Sequence, residues 1–148
     1  MSQQLRSATE PGLDGLAGTA QPAGEEFVRA LAGKDGAALR AVLADPIDFA
    51  ALTPGRHWVS DSPDEVIAQF MLGKWFGPGD EIVGIESVGG GSLPEREHVS
   101  YRLRVRSDDQ DYLVEQQAYF NTASDAAGAE QISWLRVLCS GYQRNDPR

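Results

Sequence analysis

The chain holds one cysteine, Cys139, and two histidines, His57 and His98, among 148 residues. One thiol excludes an internal disulfide and a cysteine-based zinc site. Two histidines leave little for a histidine metal cluster. Cations are also scarce: 13 Lys and Arg stand against 22 Asp and Glu, for a formal net charge of −9. Such a surface repels phosphates, which argues against nucleic acid and anionic membranes as partners. No apolar run approaches the roughly 18 residues that a membrane helix needs. The opening MSQQLRSATE lacks the apolar stretch of a secretory signal. A phosphate-cradling loop is missing too, because Gly89-Gly90-Gly91 is followed by neither Lys-Ser/Thr nor a helix start. The expectation is a cytoplasmic protein, monomeric or a small oligomer, with no cofactor and no metal.

What the chain does have is an ordinary globular balance, 41% apolar and 24% charged, long enough for one domain with a real core. Its organising stretch runs from Tyr112 to Tyr142. YLVEQQAYFN and ISWLRVLCSGY are β-rich runs around the small polar insert TASDAAGAEQ, the pattern of an antiparallel hairpin.

Residues 1 to 22 are rich in Ser, Thr, Gly, Gln, Ala and Pro, too poor in apolar area to offset their ordering entropy. They read as a flexible tail, with a short docking helix through Leu13 and Leu16 as the alternative. The domain spans 23–142, and 143–148 read as a polar tail. Phe27, Val28 and Leu31 recur at helical spacing up to Gly33. Asp35 suits the N-cap of a second helix carrying Leu39, Val42 and Leu43, and Asp45-Pro46 stops it. Ile47, Phe49 and Ala51 alternate as a short strand, and Thr53-Pro54-Gly55 turns toward Arg56-His57-Trp58-Val59. Ser62-Pro63-Asp64-Glu65 is a capping box with Pro at the first helical position, opening a third helix. Its apolar face is Val66, Ile67, Phe70, Met71 and Trp75, and Gly77-Pro78-Gly79 ends it. From Ile82 the period becomes two. One strand reaches Val88, and the next alternates Val99, Tyr101, Leu103 and Val105 with three arginines.

The helical hairpin FVRALAGKDGAALRAVL, the helix SPDEVIAQFMLGKWF and the terminal strand ISWLRVLCSGY together resemble the nuclear-transport-factor-2-like superfamily in its SnoaL-like branch. The resemblance covers roughly residues 24 to 142. It implies an α+β fold, with three N-terminal helices packed on a strongly curved antiparallel sheet that forms a cone with an internal pocket. It also implies a functional range that includes ketosteroid isomerases, polyketide cyclases, limonene epoxide hydrolases, scytalone dehydratases and pocketed proteins without chemistry. The cyclase-type pattern has an acid on the final strand, at the level of Trp134, Arg136 or Leu138. This chain departs from it, with no Asp or Glu between Ile132 and Tyr142.

Alternation sorts the strands. Val99, Tyr101, Leu103 and Val105 face inward, as do Val114, Gln116, Ala118 and Phe120, and Leu135, Val137 and Cys139. The outer face collects Arg102, Arg104, Glu115, Gln117 and Arg136, with Glu115 and Arg136 as an ion pair. The candidate ligand-binding residues are therefore His57 and Trp58 at the mouth, Phe70, Trp75, Tyr101, Gln116 and Cys139. With inverted parity they are Glu115, Gln117, Trp134 and Arg136. Each has a plainer reading: Tyr101, Phe70 and Trp75 as core, Cys139 as a small hydrophobe, His57 as a solvated side chain. Catalytic residues are not identifiable at this level.

Three classes of function fit. The first is a pocket protein binding a hydrophobic small molecule. The second is an enzyme of cyclase, isomerase, dehydratase or epoxide-hydrolase type acting on a polyketide- or terpene-like substrate, with His57, Tyr101 or Glu115 and Arg136 in its acid–base chemistry. The third is a dimerisation module; Tyr119 and Trp134 on the outer face suggest a homodimer through that face. On the tail reading, trypsin cuts after Arg6 at doses that leave the domain intact. Survival of that bond while the domain is cleaved rules the tail out.

Overall fold

The computed structural model describes residues 22–145, so the expected tail lies outside it except for Pro22. The first helix, α1 (Pro22–Ala32), buries Phe27, Val28 and Leu31 on one face. After Lys34, whose φ is +51°, α2 (Gly36–Val42) begins under Asp35, whose carboxylate accepts from the Ala38 amide at 3.0 Å. Lys34 also ties this corner to the far end of the next helix, donating from Nζ to the carbonyls of Gly77 (2.6 Å) and Asp80 (2.7 Å). The second helix stops before Asp45-Pro46. That dipeptide sits in the irregular start of β1 (Leu43–Thr53).

A hairpin leads from β1 to β2 (Arg56–Ser60), and the capping serine then starts α3 (Pro63–Glu65). Ser62 Oγ accepts from the Glu65 amide at 3.2 Å. The reciprocal arm of the box is displaced: Glu65 accepts from the Ser60 hydroxyl, and Ser60 Oγ accepts from the Ser62 amide. From Val66 the helix widens. Val66–Trp75 is a π-helix, closed by the Phe76 amide donating to the Met71 carbonyl five residues back, at 2.9 Å. The expected apolar face is buried as read, but on a helix of a different period. Local sequence does not announce such widening; π geometry mostly occurs as single-turn bulges, frequently at functional sites.

Four long strands follow, β3 (Asp80–Ser92), β4 (Glu97–Ser107), β5 (Gln110–Ser124) and β6 (Glu130–Cys139), and then a two-residue strand β7 (Gln143–Arg144). The strand does not stop at Val88 as expected but runs through the glycines that follow. It continues the ladder, with Gly90 opposite Val99. A Cβ at Gly90 would collide with the His98 carbonyl, so this approach needs glycine. The residues read as a polar C-terminal tail likewise begin with a pairing, since Leu113 and Tyr112 lie opposite Gln143 and Arg144.

The sheet order is β2-β1-β6-β5-β4-β3, with β7 beside β5. All its pairings are antiparallel except β1 with β6, which is parallel, so the sheet is mixed. The chain must cross from one edge to the other between β2 and β3, and the π-helix makes that crossing. The three helices cover one face of the sheet, which gives the expected α+β architecture. Val99, Tyr101, Leu103, Val105, Val114, Gln116, Ala118, Phe120, Leu135 and Val137 are all buried on that face, so the alternation was assigned to the correct side. Each large apolar side chain removed from water contributes about 1.5–3 kcal/mol.

Gly73 lies within the π-helix. A Cβ there would stand 2.5 Å from the Ala68 carbonyl oxygen, a backbone atom that cannot move without breaking the helix. Alanine in place of glycine ordinarily gains up to ~1 kcal/mol in a helix. Here overpacking costs about 1–3 kcal/mol and wins. Gly73→Ala is expected to lower unfolding stability by about 1–2 kcal/mol in urea. Gly79→Ala, which meets nothing within 4 Å, should stay within about 0.5 kcal/mol of wild type. Equal stabilities for the two variants would contradict the widened geometry.

Candidate functional site

The registers of β4, β5 and β6 place Tyr101, Gln116 and Cys139 in one row across three strands. Tyr101 and Gln116 are almost wholly buried, at 1% and 0% exposure. Gln116 is the one buried side chain of polar type among the described residues. The Tyr101 hydroxyl donates to Gln116 Oε1 at 2.7 Å. Burial, and then the nearby Cys139, hold the Tyr101 pKa well above the phenol's ordinary value. Tyr101 is therefore a neutral donor near pH 7. Phe27 of α1 meets its ring edge-on at 6.2 Å. Cys139 is half-buried, and its Sγ accepts from the Gly141 amide at 3.3 Å.

The amide of Gln116 is satisfied on one side only. Its Nε2 has no hydrogen-bond partner among the described residues. The same holds for the indole Nε1 of Trp75, a residue only 7% exposed. A buried donor without an acceptor costs about 1–3 kcal/mol, so such groups call for an explanation.

Trp75 belongs to an aromatic cluster built by three elements. Its ring lies 6.1 Å from Phe49 of β1 and 6.0 Å from Trp58 of β2, while Phe70, one π-turn earlier, lies 5.9 Å and 5.0 Å from the same two rings. Trp58 is satisfied internally, with Nε1 donating to Thr53 Oγ1 at 2.8 Å. The Arg56 guanidinium covers its ring at 3.7 Å. The Trp75 carbonyl accepts from the Tyr142 hydroxyl at 2.7 Å, and that hydroxyl also bonds Asp80 Oδ2 at 2.7 Å. Half-burial first, and then Asp80, push the Tyr142 pKa up. Ser107 donates to the other oxygen of Asp80 at 2.6 Å. The sequence reading missed this Tyr142–Asp80–Ser107 network. Its members are 27 to 62 residues apart, and no local pattern joins them.

The remaining candidates lie elsewhere. His57 is exposed on the outer face of the sheet, opposite Leu52, and not at the mouth of an interior space. Glu115 and Arg136 do not pair. Register sets Arg136 across from Tyr119, and it binds Asp48 instead, through the carbonyl and Oδ1, both at 2.9 Å. Glu115 faces Arg102, at 3.5 Å. Gln117 bonds His98 at 3.3 Å, and the His98 ring stacks on Tyr119. Trp134 is half-buried between two guanidinium groups, Arg96 at 3.9 Å and Arg136 at 4.2 Å. The inverted-parity set is thus a solvent-side lattice.

That outer face has a shallow apolar concavity of about 340 Å³, lined by Leu52, His57, Gln117, Tyr119, Arg136 and Leu138, among others. A larger one of about 710 Å³ lies beside it around Pro46, Asp48, Val59, Asp61 and Arg136. Tyr101, Gln116 and Trp75 line neither. No described helix is long and apolar enough to cross a membrane.

The interior row has the chemistry of a neutral hydrogen-bonding site. It offers donors in an apolar setting, and among the described residues the buried side chains include no carboxylate or ammonium.

No protein-family model matches the chain, and no curated protein matches it by sequence. Solved structures do. A SnoaL-like protein from Mesorhizobium loti superposes with a TM-score of 0.56 at 16% identity, over 78% of this chain and 94% of that one. An LEH-like epoxide hydrolase from M. tuberculosis gives 0.55 at 13%, over 80% of each chain. A protein of ketosteroid isomerase-like fold from Catenulispora acidiphila, in complex with trimethylamine, gives 0.56 at 12%, over 82% and 88%. At these identities the likeness is one of fold alone: the chain has the α+β fold that these structures share.

Proposed function

We propose that this chain binds a hydrophobic small molecule within the cone and does not turn it over. The observation that carries the reading is Gln116. Its carbonyl oxygen is held by Tyr101, while its amide N–H has no acceptor among the described residues. An apolar guest with one carbonyl or hydroxyl oxygen at that amide would satisfy it. Aromatic walls with a few placed polar groups are the usual composition of small-molecule sites. Binding without chemistry follows from the protonation states: an amide does not ionise, and Tyr101 is held in its neutral form.

The alternative, an acid–base enzyme of isomerase, cyclase, dehydratase or epoxide-hydrolase type, has the fold likeness in its favour, but fold alone does not choose chemistry. Glu115 and Arg136, its candidates on inverted strand parity, face solvent and are engaged with other partners. A guest like the trimethylamine of one fold neighbour suits this chain less well. Arg56 already covers the Trp58 face, and a cation inside would meet no buried acid among the described residues.

Native mass spectrometry of protein purified from its source tests the binding reading. The expected result is a co-purified apolar molecule in wild type and in Glu115→Gln, with occupancy much reduced in Gln116→Leu. Removing the Gln116 amide also strands the Tyr101 hydroxyl, so the fold is checked with Gln116→Leu/Tyr101→Phe, which removes both partners. Loss of the guest in Glu115→Gln, with retention in Gln116→Leu, would shift the site to the outer face and favour the enzyme.

We also propose that the chain forms a homodimer through the outer sheet face. Leu52 and Leu138 stand opposite each other at 51% and 56% exposure, with Tyr119 beside them. Arginines and acids of both signs surround them, which permits cross-pairing about a two-fold axis. Sedimentation is expected to show a dimer at tens of micromolar and a monomer for Leu138→Arg. A wild-type monomer at that concentration removes the proposal.

A further inference from the structure

We infer that the groove between β2 and the π-helix binds a monocarboxylate with an aromatic or alicyclic body, at a site separate from the interior. The groove has a volume of about 610 Å³, a size usual for small-molecule sites. The buried rings of Trp58 and Phe70 line it, and so do the exposed Arg56 and Lys74. Two acids, Asp64 and Glu65, line it as well. The strand and the helix run in opposite senses along it. Ser60 bonds Glu65 at 2.5 Å, and Trp58 meets Phe70 with ring centroids 5.0 Å apart. Continuing that progression brings Arg56 level with Lys74. The groove is thus acidic at one end, aromatic in the middle and basic at the other.

The chemical class follows from which charges are already engaged. Neither Arg56 nor Lys74 has an oxygen partner among the described residues. Every other described Lys or Arg has one, except Arg104 on β4. The acids of the groove, by contrast, are taken: Asp64 by Arg40 at 3.2 Å, Glu65 by the Ser60 hydroxyl. Arg56 is also held in place, with its guanidinium on the Trp58 ring at 3.7 Å. A guanidinium donates within its own plane. Stacking therefore leaves its edge N–H groups directed at the groove, in the fork that fits a carboxylate. Lys74 adds a point charge on a flexible stem. The ring of Phe70 offers apolar area to the body of the ligand. At the far end Glu65 repels a second anionic group, which limits the ligand to one carboxylate. The chain as a whole carries −9, so an anion is held by this local pair of cations and not by the general field.

The test titrates the protein at neutral pH with 3-phenylpropanoate, with its uncharged amide 3-phenylpropanamide, and with 1,4-benzenedipropanoate, which carries a second carboxylate at the far end of the ring. Affinities and the Arg56 Nε–H resonance are followed by NMR of isotope-labelled protein. The monocarboxylate is expected to bind about 3- to 30-fold more tightly than the amide or the dianion, to shift the Arg56 signal, and to weaken as salt rises. Arg56→Gln and Lys74→Gln should each reduce that preference, and the double variant should abolish it. Both side chains are exposed, so these variants keep the fold. Arg104→Gln removes the other cation without an oxygen partner and should leave the preference unchanged. Equal binding of the carboxylate and the amide to wild type overturns the inference, as does failure of both to bind. An equal loss in Arg104→Gln also overturns it, since the attraction would then belong to the whole surface. A dianion that binds as tightly as the monoanion overturns the limit to one carboxylate. None of these outcomes bears on occupancy of the interior, which Gln116→Leu tests separately.

Discussion

The row Tyr101–Gln116–Cys139 crosses three hydrogen-bonded strands, and a slip of one residue in any of them would reverse its faces. On β5 such a slip would put Glu115 or Gln117, according to its direction, where Gln116 now stands. A carboxylate buried there with no partner would cost several kcal/mol. On β4 it would bury Arg102 and Arg104 in place of Tyr101 and Leu103. Every strand thus votes for the same register, and the helices have a single apolar face to cover. The interior is neutral as a consequence of this, and the chemistry of the site is limited by the same requirement that fixes the fold.

Within that constraint one polar pair is retained. An amide and a phenol can satisfy each other at the cost of one dangling N–H, whereas replacing both by apolar side chains would leave nothing unpaired. Holding Gln116 there lowers stability slightly and keeps a directional donor at a defined depth. Trp75 repeats the arrangement from the opposite layer. Phenylalanine would pack against Phe49 and Trp58 without an orphan donor. Two such orphan donors among the described residues are exceptions that packing alone does not require.

Much of this was legible in the residues, and the reason is periodicity. Val99, Tyr101, Leu103 and Val105 alternate with three arginines, so their direction needed no structure. Asp35 and Ser62 announced two helix starts because capping is local chemistry. What failed was non-local. The parallel contact of β1 with β6 joins segments about 90 residues apart, as the Arg136–Asp48 bond does. Choosing Glu115 as the partner of Arg136 assumed a register that only the β5–β6 ladder could supply. His57 was misplaced for a related reason. Its strand is short, and the inward position on it belongs to Trp58. Nothing in the sequence marked which of the buried N–H groups would lack an acceptor, since that depends on where Thr53 and Tyr101 end up.

The widened helix links fold to site. In an α-helix each residue turns about 100°, so Phe70 and Trp75, five residues apart, would point roughly 140° away from each other. In this chain both contact Phe49 and Trp58, with centroids 5.0–6.1 Å apart. Hydrogen bonding over five residues aligns them, as the Phe76–Met71 bond shows at the end of the run. Gly73 permits the close carbonyl contact on the way, and Tyr142 fixes the Trp75 backbone from the C-terminal side. Had the segment stayed α-helical, one of the two rings would face away from β1 and β2. The π geometry therefore has a definite consequence: it brings an indole donor to the layer that faces the sheet, where an α-helix with the same sequence would have turned it elsewhere.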